Sequence, residues 1–380
     1  MSRLKVATIL GTRPEIIRLS RVMARLEGVC DHIVVHTGQN YDYELNEVFF
    51  SDLGIKKPDY FLGVDTSSLG ATVGGILLET EKVLASEKPD AVLILGDTNS
   101  AISAYIARRM KIPVYHMEAG NRCFDRNVPE ETNRKMVDHL ADFNLVYTEH
   151  ARRNLLAEGL HPRRIYITGS PMREVLNHYK RGIDSSNALE TLELESGNYF
   201  VVSIHREENV DNVGNLKELV SALNKLASVY DCPVVVTTHP RTRKRLDAAQ
   251  YLESDKRIRW LKPFGFYDYN ILHQEAKCVV SDSGTIAEES SILGFAAITP
   301  RYSIERPEAM DTGAVMACGY HAENILRCVS ASIEQFSSET LEESFVPTDY
   351  KITNTSQRVV NLILGTALLS NDWDGIRKSE

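Results

Sequence analysis

Short apolar, β-branched runs alternate with helix-period segments along almost the whole chain, and that rhythm restricts the fold more than any other feature. Lys5–Leu10 reads as a strand and Pro14–Leu26 as a helix with proline in its first turn. His32–His36, Ala91–Leu95, Pro113–His116, Leu145–Thr148 and Arg164–Thr168 continue the strand series. Strands that return after each helical stretch predict a parallel, doubly wound α/β sheet.

The rhythm pauses in the polar stretch Tyr179–Asn198 and then resumes with Tyr199–Ile204, Pro233–Thr237, Ile258–Leu261, Lys277–Ser281 and Phe295–Thr299. A chain of 380 residues is long enough for two domains. We therefore expect two Rossmann-like domains facing each other across a cleft, joined by a linker near Ser170–Arg181. The expected boundaries are residues 1–172, residues 173–355, and a C-terminal helix and tail over residues 356–380. That last helical pattern, about Ser356–Leu369, is expected to return to the first domain.

Composition narrows the partners. A formal net charge of −9 argues against nucleic acid, although a local arginine cluster suffices for a small phosphorylated ligand. Six scattered cysteines without CxxC or zinc-ligand spacing predict reduced, mostly buried thiols and a cytoplasmic protein. The apolar run Val6–Leu10 is too short for a signal peptide, and no stretch approaches the ~20 apolar residues of a membrane span. Tryptophans Trp260 and Trp373 read as packing residues.

In open parallel sheets, ligands bind beyond the carboxyl ends of the strands. Six candidate strand ends here carry acid, base or anion-binding groups: Gly11–Glu15, Gly96–Ser100, His116–Arg122, His205–Asn209, His239–Arg241 and Asp282–Thr285. Any one alone reads as a solvated turn; six together point to a functional cleft. Ser283-Gly284-Thr285 before Ile286–Leu293 fits a diphosphate cradle at a helix N-terminus, with Glu289 one turn on to reach a ribose hydroxyl. An ordinary Ser/Thr cap is the plainer alternative. Arg13 and Arg18 are placed to hold phosphate oxygens. The turn they flank is not GxGxxG, so dinucleotide binding loses its main support.

Asp97 and Glu118 end neighbouring strand candidates, and Glu130 opens the helical run Pro129–Leu140 with Arg134 one turn later. A dipole-complementing acid with a weak i,i+4 pair explains that segment equally well. Several carboxylates converging with His205 are what general acid–base chemistry on a sugar needs. HExxH, a Cys/His metal set and the GxSxG elbow are absent, and no metal or cofactor is expected.

Taken in order, Gly11–Glu15, Leu95–Asn99, His116–Arg122, Pro129–Arg134, His205–Glu208, Ser281–Glu289 and Glu305–Ala309 resemble the non-hydrolysing UDP-N-acetylglucosamine 2-epimerases, from about residue 4 to 315. The resemblance implies the two-domain fold of many nucleotide-sugar glycosyltransferases (GT-B), commonly as a homodimer. It places the acid–base group on Asp97, Glu118, Glu130 and His205. It places nucleotide and phosphate contacts on Arg13, Arg18, Arg134, Ser283, Gly284, Thr285, Glu289 and Arg306, with His239 added from its strand-end position. It further implies that C2 is inverted without a redox cofactor, through loss of UDP to a 2-acetamidoglycal and its re-addition.

Departures bear on the substrate. Arg18 stands where lysine is commoner, Thr285 replaces a second glycine, and the loop between Glu118 and Glu130 is about two residues shorter. Commoner members carry Gln-His-Arg after the second strand, associated with a UDP-sugar activator, where this chain has Gln39-Asn40-Tyr41-Asp42-Tyr43-Glu44. His36–Phe50 and Asn121–Arg134 look more like the subgroup that converts UDP-2-acetamido-2,6-dideoxy-L-talose to UDP-N-acetyl-L-fucosamine for capsule and O-antigen sugars. The rival readings are a UDP-N-acetylglucosamine 2-epimerase, an epimerase that hydrolyses its glycal, a GT-B glycosyltransferase and a non-catalytic nucleotide-sugar sensor.

Overall fold

The computed structural model describes residues 3–39, 49–204, 212–238, 255–338 and 345–376. They divide into two compact units, one running to His178 and resuming at Lys351, the other Tyr179–Tyr350.

The first unit holds seven strands: β1 (Lys5–Leu10), β2 (Asp31–His36), β3 (Tyr60–Phe61), β4 (Ala91–Leu95), β5 (Val114–Met117), β6 (Phe143–Val146) and β7 (Ile165–Ile167). Their order is β3-β2-β1-β4-β5-β6-β7, and every pair is parallel. The second unit holds β8 (Phe200–Ser203), β9 (Val234–Thr237), β10 (Ile258–Leu261), β11 (Cys278–Ser281), β12 (Ala297–Thr299) and β13 (Met316–Ala317). Their order is β10-β9-β8-β11-β12-β13, again all parallel. Both sheets reverse direction of winding once, between β1 and β4 and between β8 and β11. Doubly wound sheets bind ligands beyond the strand ends at such points.

Continuous β-branched strands follow from burial on both faces. In the second unit Phe200, Val202, Val234, Val236 and Val280 pack against Leu219, Leu223 and Leu226 of the helix Val213–Tyr230. Tyr199, Val201, Val235 and Val279 pack on the other face against Leu272 and Ile286. In the first unit Ile9, Val35, Val92 and Ile94 pack against Val83, Leu84 and Val137.

Within the first unit the C-terminal helix Thr355–Thr366 lies on the helix Arg13–Val29, where Arg25 Nε donates to Ser356 Oγ at 3.1 Å. Thr355 Oγ1 donates to the Thr168 and Ser170 carbonyls, both at 3.1 Å. All six cysteines are free; five are buried and Cys328 is half-buried. No described helix is long and apolar enough to cross a membrane.

The two units divide after His178, inside the linker expected near Ser170–Arg181; that segment is a helix, Met172–Asp184, and the polar stretch after it holds a further short helix, Ala188–Thr191. Met172, Val175, Leu176, Tyr179 and Ile183 are all buried, spaced so as to share one helical stripe among charged neighbours. The strand expected at Leu145–Thr148 starts two residues earlier. The Asp142 carboxylate accepts the Val114 N–H at 2.9 Å and opens the pairing, while Thr148 is taken as N-cap of the helix Glu149–Ala157.

Candidate active site

In the first unit, register brings the chemistry-bearing residues to one level. Leu95 pairs with Met117, so Asp97 and Glu118 leave adjacent strand ends side by side. Gly11 makes the tight exit from β1: a Cβ there would overlap Ser100 Oγ and Thr37 Oγ1, themselves 2.7 Å apart. Thr12, the N-cap of the helix Arg13–Val29, does not cap with its side chain. Its hydroxyl instead donates to Glu15 Oε2 at 2.7 Å, and the Gly11 N–H donates to the same oxygen at 3.0 Å. Thr98 Oγ1 donates to Glu15 Oε1 at 3.1 Å, so this buried carboxyl ties the β1 turn to the β4 turn. Burial pushes the Glu15 carboxyl up to about 7 despite those hydrogen bonds.

Both candidate acid–base carboxylates at these strand ends are paired to arginine. Arg18 and Glu118 form a mostly buried ion pair, and Asn121 Nδ2 adds a bond to Glu118 Oε1 at 3.2 Å. Arg134 Nε donates to Asp97 Oδ2 at 2.8 Å, and its Nη1 reaches Glu131 Oε2 at 2.8 Å. Asn133 Nδ2 fixes the Asp97 carbonyl at 2.9 Å. Arg13 is half-buried, its guanidinium 5.7 Å from the Phe49 ring centre, within cation–π range.

Glu118 has φ +64, the left-handed region that a non-glycine residue occupies at a cost of about 1–3 kcal/mol. Neighbouring groups enforce it. The following Gly120 has φ +81 and leaves no room for a Cβ against the Ala151 carbonyl. Its N–H donates to both oxygens of Asp138 at 3.3 and 3.2 Å.

Glu130 is exposed in the first turn of the helix Glu130–Leu140. The neighbouring Glu131, not singled out from the sequence, is the buried one. Burial pushes its carboxyl up, but the Cys123 N–H, the Cys123 thiol and Arg134 outweigh this and hold it below the usual range. Asp138 and Glu158 also escaped sequence reading, and Arg122, inside the strand end His116–Arg122, was given no partner. Arg122 forks onto Glu158 at 2.8 and 2.6 Å and reaches Asp138 at 2.7 Å. Only the wide separation of these charges in the chain concealed them.

In the second unit the turn after β11 is built around Ser283. Ser283 N–H donates to Ser281 Oγ at 3.2 Å, and its hydroxyl lies 2.9 Å from Thr285 Oγ1. Thr285 precedes the helix Ile286–Leu293 without capping it through its side chain. Arg306 Nε donates to the Gly284 carbonyl at 2.8 Å, and its Nη2 is 3.2 Å from Glu288, so the predicted phosphate ligand is fastened to the cradle itself. Ser283, Gly284, Arg301, Glu305 and Arg306 line one pocket of this unit. Glu289 is buried, 3.7 Å from His273 Nδ1. Burial lowers His273 to about 3, which keeps its imidazole neutral. His205 and His239 lie outside the described residues. Among the described residues no three His, Cys, Asp or Glu side chains gather as a metal set.

The family model described as UDP-N-acetylglucosamine 2-epimerase matches residues 24–364. A solved UDP-N-acetylglucosamine 2-epimerase from Rickettsia bellii is 44% identical, with TM-score 0.91 over 99% of this chain and 100% of that one. The Methanocaldococcus jannaschii UDP-GlcNAc 2-epimerase, solved in complex with UDP-GlcNAc and UDP, is 34% identical with TM-score 0.87, covering 95% and 100% of the two chains. A UDP-2,3-diacetamido-2,3-dideoxy-D-glucuronate 2-epimerase from Pseudomonas aeruginosa is 32% identical over 87% of this chain and 92% of its own.

Proposed function

The chain belongs to the UDP-N-acetylglucosamine 2-epimerase family and is an isomerase; from that premise we propose that it inverts C2 of a UDP-linked 2-acetamido sugar by elimination and re-addition of UDP. The observation that carries the chemistry is the pair Asp97 and Glu118, emerging side by side from β4 and β5 and each held by an arginine.

The C2 proton of such a sugar is not acidic, because no carbonyl adjoins C2 in the pyranose. Removal is workable when the C1–O bond to UDP breaks at the same time. The C2–H electron pair then forms the C1=C2 bond, the C1–O pair leaves with UDP, and the proton goes to a carboxylate. Protonation of C2 from the opposite face and attack of the UDP oxygen on C1 complete the inversion. Asp97 and Glu118, with Glu130 and His205, are proposed to move the protons. Arg13, Arg18 and Arg134 in the first unit, and Ser283, Gly284, Thr285 and Arg306 in the second, are proposed to stabilise the departing diphosphate. Glu289 is assigned to the ribose, and His239 to the nucleotide sugar. The chemistry asks for no nicotinamide, and a homodimer is the proposed assembly.

For the substrate we propose UDP-2-acetamido-2,6-dideoxy-L-talose, giving UDP-N-acetyl-L-fucosamine for capsule or O-antigen synthesis. The likeness of the stretches His36–Phe50 and Asn121–Arg134 to that subgroup, and the short loop between Glu118 and Glu130, support this. Conversion of UDP-N-acetylglucosamine to UDP-N-acetylmannosamine is the second reading, favoured by what the two solved relatives above are named for. Purified enzyme offered each sugar nucleotide, with products identified by proton NMR, separates them. Turnover of the L-talose compound at least tenfold faster supports the first reading, and the reverse preference installs the second. Asp97→Asn and Glu118→Gln should each lower the rate about 10²–10⁴-fold while UDP still binds. Unaltered turnover in both variants would overturn the acid–base roles of Asp97 and Glu118, whereas a folded, UDP-binding wild type that converts neither sugar nucleotide would reopen the sensor and transferase readings.

A further inference from the structure

Four groups of the first unit form a continuous buried chain behind the two candidate acid–base carboxylates. His116, on β5 two residues before Glu118, places Nε2 2.7 Å from the Gly96 carbonyl, the residue before Asp97. Its Nδ1 lies 2.9 Å from Asp138 Oδ1. Asp138 also accepts the N–H of Gly120, two residues after Glu118, and the Arg122 guanidinium at 2.7 Å. Asp138 is fully buried and His116 is 1% exposed.

We propose that Asp138 and His116 are positioning residues that fix the spacing of Asp97 and Glu118, through the chain Gly96–His116–Asp138–Gly120; the inference rests on the acid–base roles proposed above. The geometry favours this over plain structural support for three reasons. Asp138 meets the chain on both sides of Glu118: it accepts the Gly120 N–H after it and lies against the His116 ring before it, at 2.9 Å but out of line for a hydrogen bond. That contact brackets Glu118, a non-glycine residue held at φ +64. The helix Glu130–Leu140 that carries Asp138 also carries Asn133 and Arg134, which hold the Asp97 carbonyl and carboxylate. One helix therefore sets both carboxylates, and polar groups rather than apolar packing transmit the setting.

Neither residue is expected to touch substrate, so binding and chemistry should part company. Asp138→Asn keeps the volume but weakens the grip on His116, Gly120 and Arg122. Small displacements of reacting groups cost on the order of 10²-fold. We expect kcat to fall about 10–100-fold in this folded variant, with KM and the Kd for UDP changing less than about threefold. The isotope effect on kcat from deuterium at substrate C2 should rise, because proton removal becomes the slow step.

A His116 pair keeps the idea testable if Asp138→Asn does not fold. His116→Gln presents an amide near the former Nε2 and can retain the Gly96 bond, whereas His116→Asn cannot. The Gln variant should recover at least about fivefold of the activity lost in the Asn variant. Folded variants with wild-type kcat overturn the proposal. So does a loss of kcat matched by lost UDP binding, with the isotope effect unmoved and no difference between Gln and Asn. A wild-type enzyme that exchanges no C2 proton with any UDP-2-acetamido sugar overturns the proposed function itself, whereas a competent wild type with indifferent variants overturns only this inference.

Discussion

Glu15 shows how one residue can serve the fold and still titrate near neutrality. Its carboxyl holds together the turns after β1 and β4, yet burial raises it from 4.5 to about 7. A carboxyl raised in the folded state stabilises most fully below its unfolded value, and that stability is lost as pH rises towards the folded value. Between about pH 4.5 and 7 this group should therefore withdraw about 3 kcal/mol of stability. Urea unfolding across that range should show a smaller decline in Glu15→Gln than in the wild type. Parallel curves would mean that Glu15 ionises normally. At this scale the sequence was only partly legible. Asp97, Glu118 and Arg134 could be read because each follows a strand or opens a helix. Asp138 and Glu158 could not, since nothing local distinguishes a paired charge from a solvated one. Glu130 and Glu131 are adjacent acids, and a choice between them needs the helix rotation that buries Glu131.

Among elements, β-branched runs buried on both faces were the clearest signal, and eleven of the thirteen strands among the described residues coincide with them, one displaced by two residues. The strands that escaped, β3 and β13, are two residues long and too short to carry a pattern. The helix Met172–Asp184 escaped for another reason: its apolar stripe is broken up by Arg173, Glu174, Lys180 and Arg181, so the segment looks polar when read as composition. A stability measurement tests that stripe. Leu176 is 2% exposed, and Leu176→Ala should cost about 2–5 kcal/mol in urea unfolding. A linker position would change by under about 0.5 kcal/mol.

For the whole molecule, both units repeat one topology, with the strand order reversing at β1/β4 and at β8/β11. That repeat was legible because each half carries its own strand series. The two halves differ in what each places at its reversal point. The first offers paired carboxylates and arginines; the second offers a serine-threonine turn fastened by Arg306. Family membership fixes the class of reaction more firmly than the sugar, since the relatives themselves are named for different UDP-sugars.

The central claim is C2 inversion through loss and return of a proton, and hydrogen exchange at that carbon reads it directly. In D₂O, with no nicotinamide added, the enzyme should place one solvent deuterium at C2 of the product UDP-2-acetamido sugar, seen by proton NMR as loss of the H2 signal and collapse of its coupling to H1. Product that forms at a normal rate and keeps its original C2 hydrogen would contradict the account.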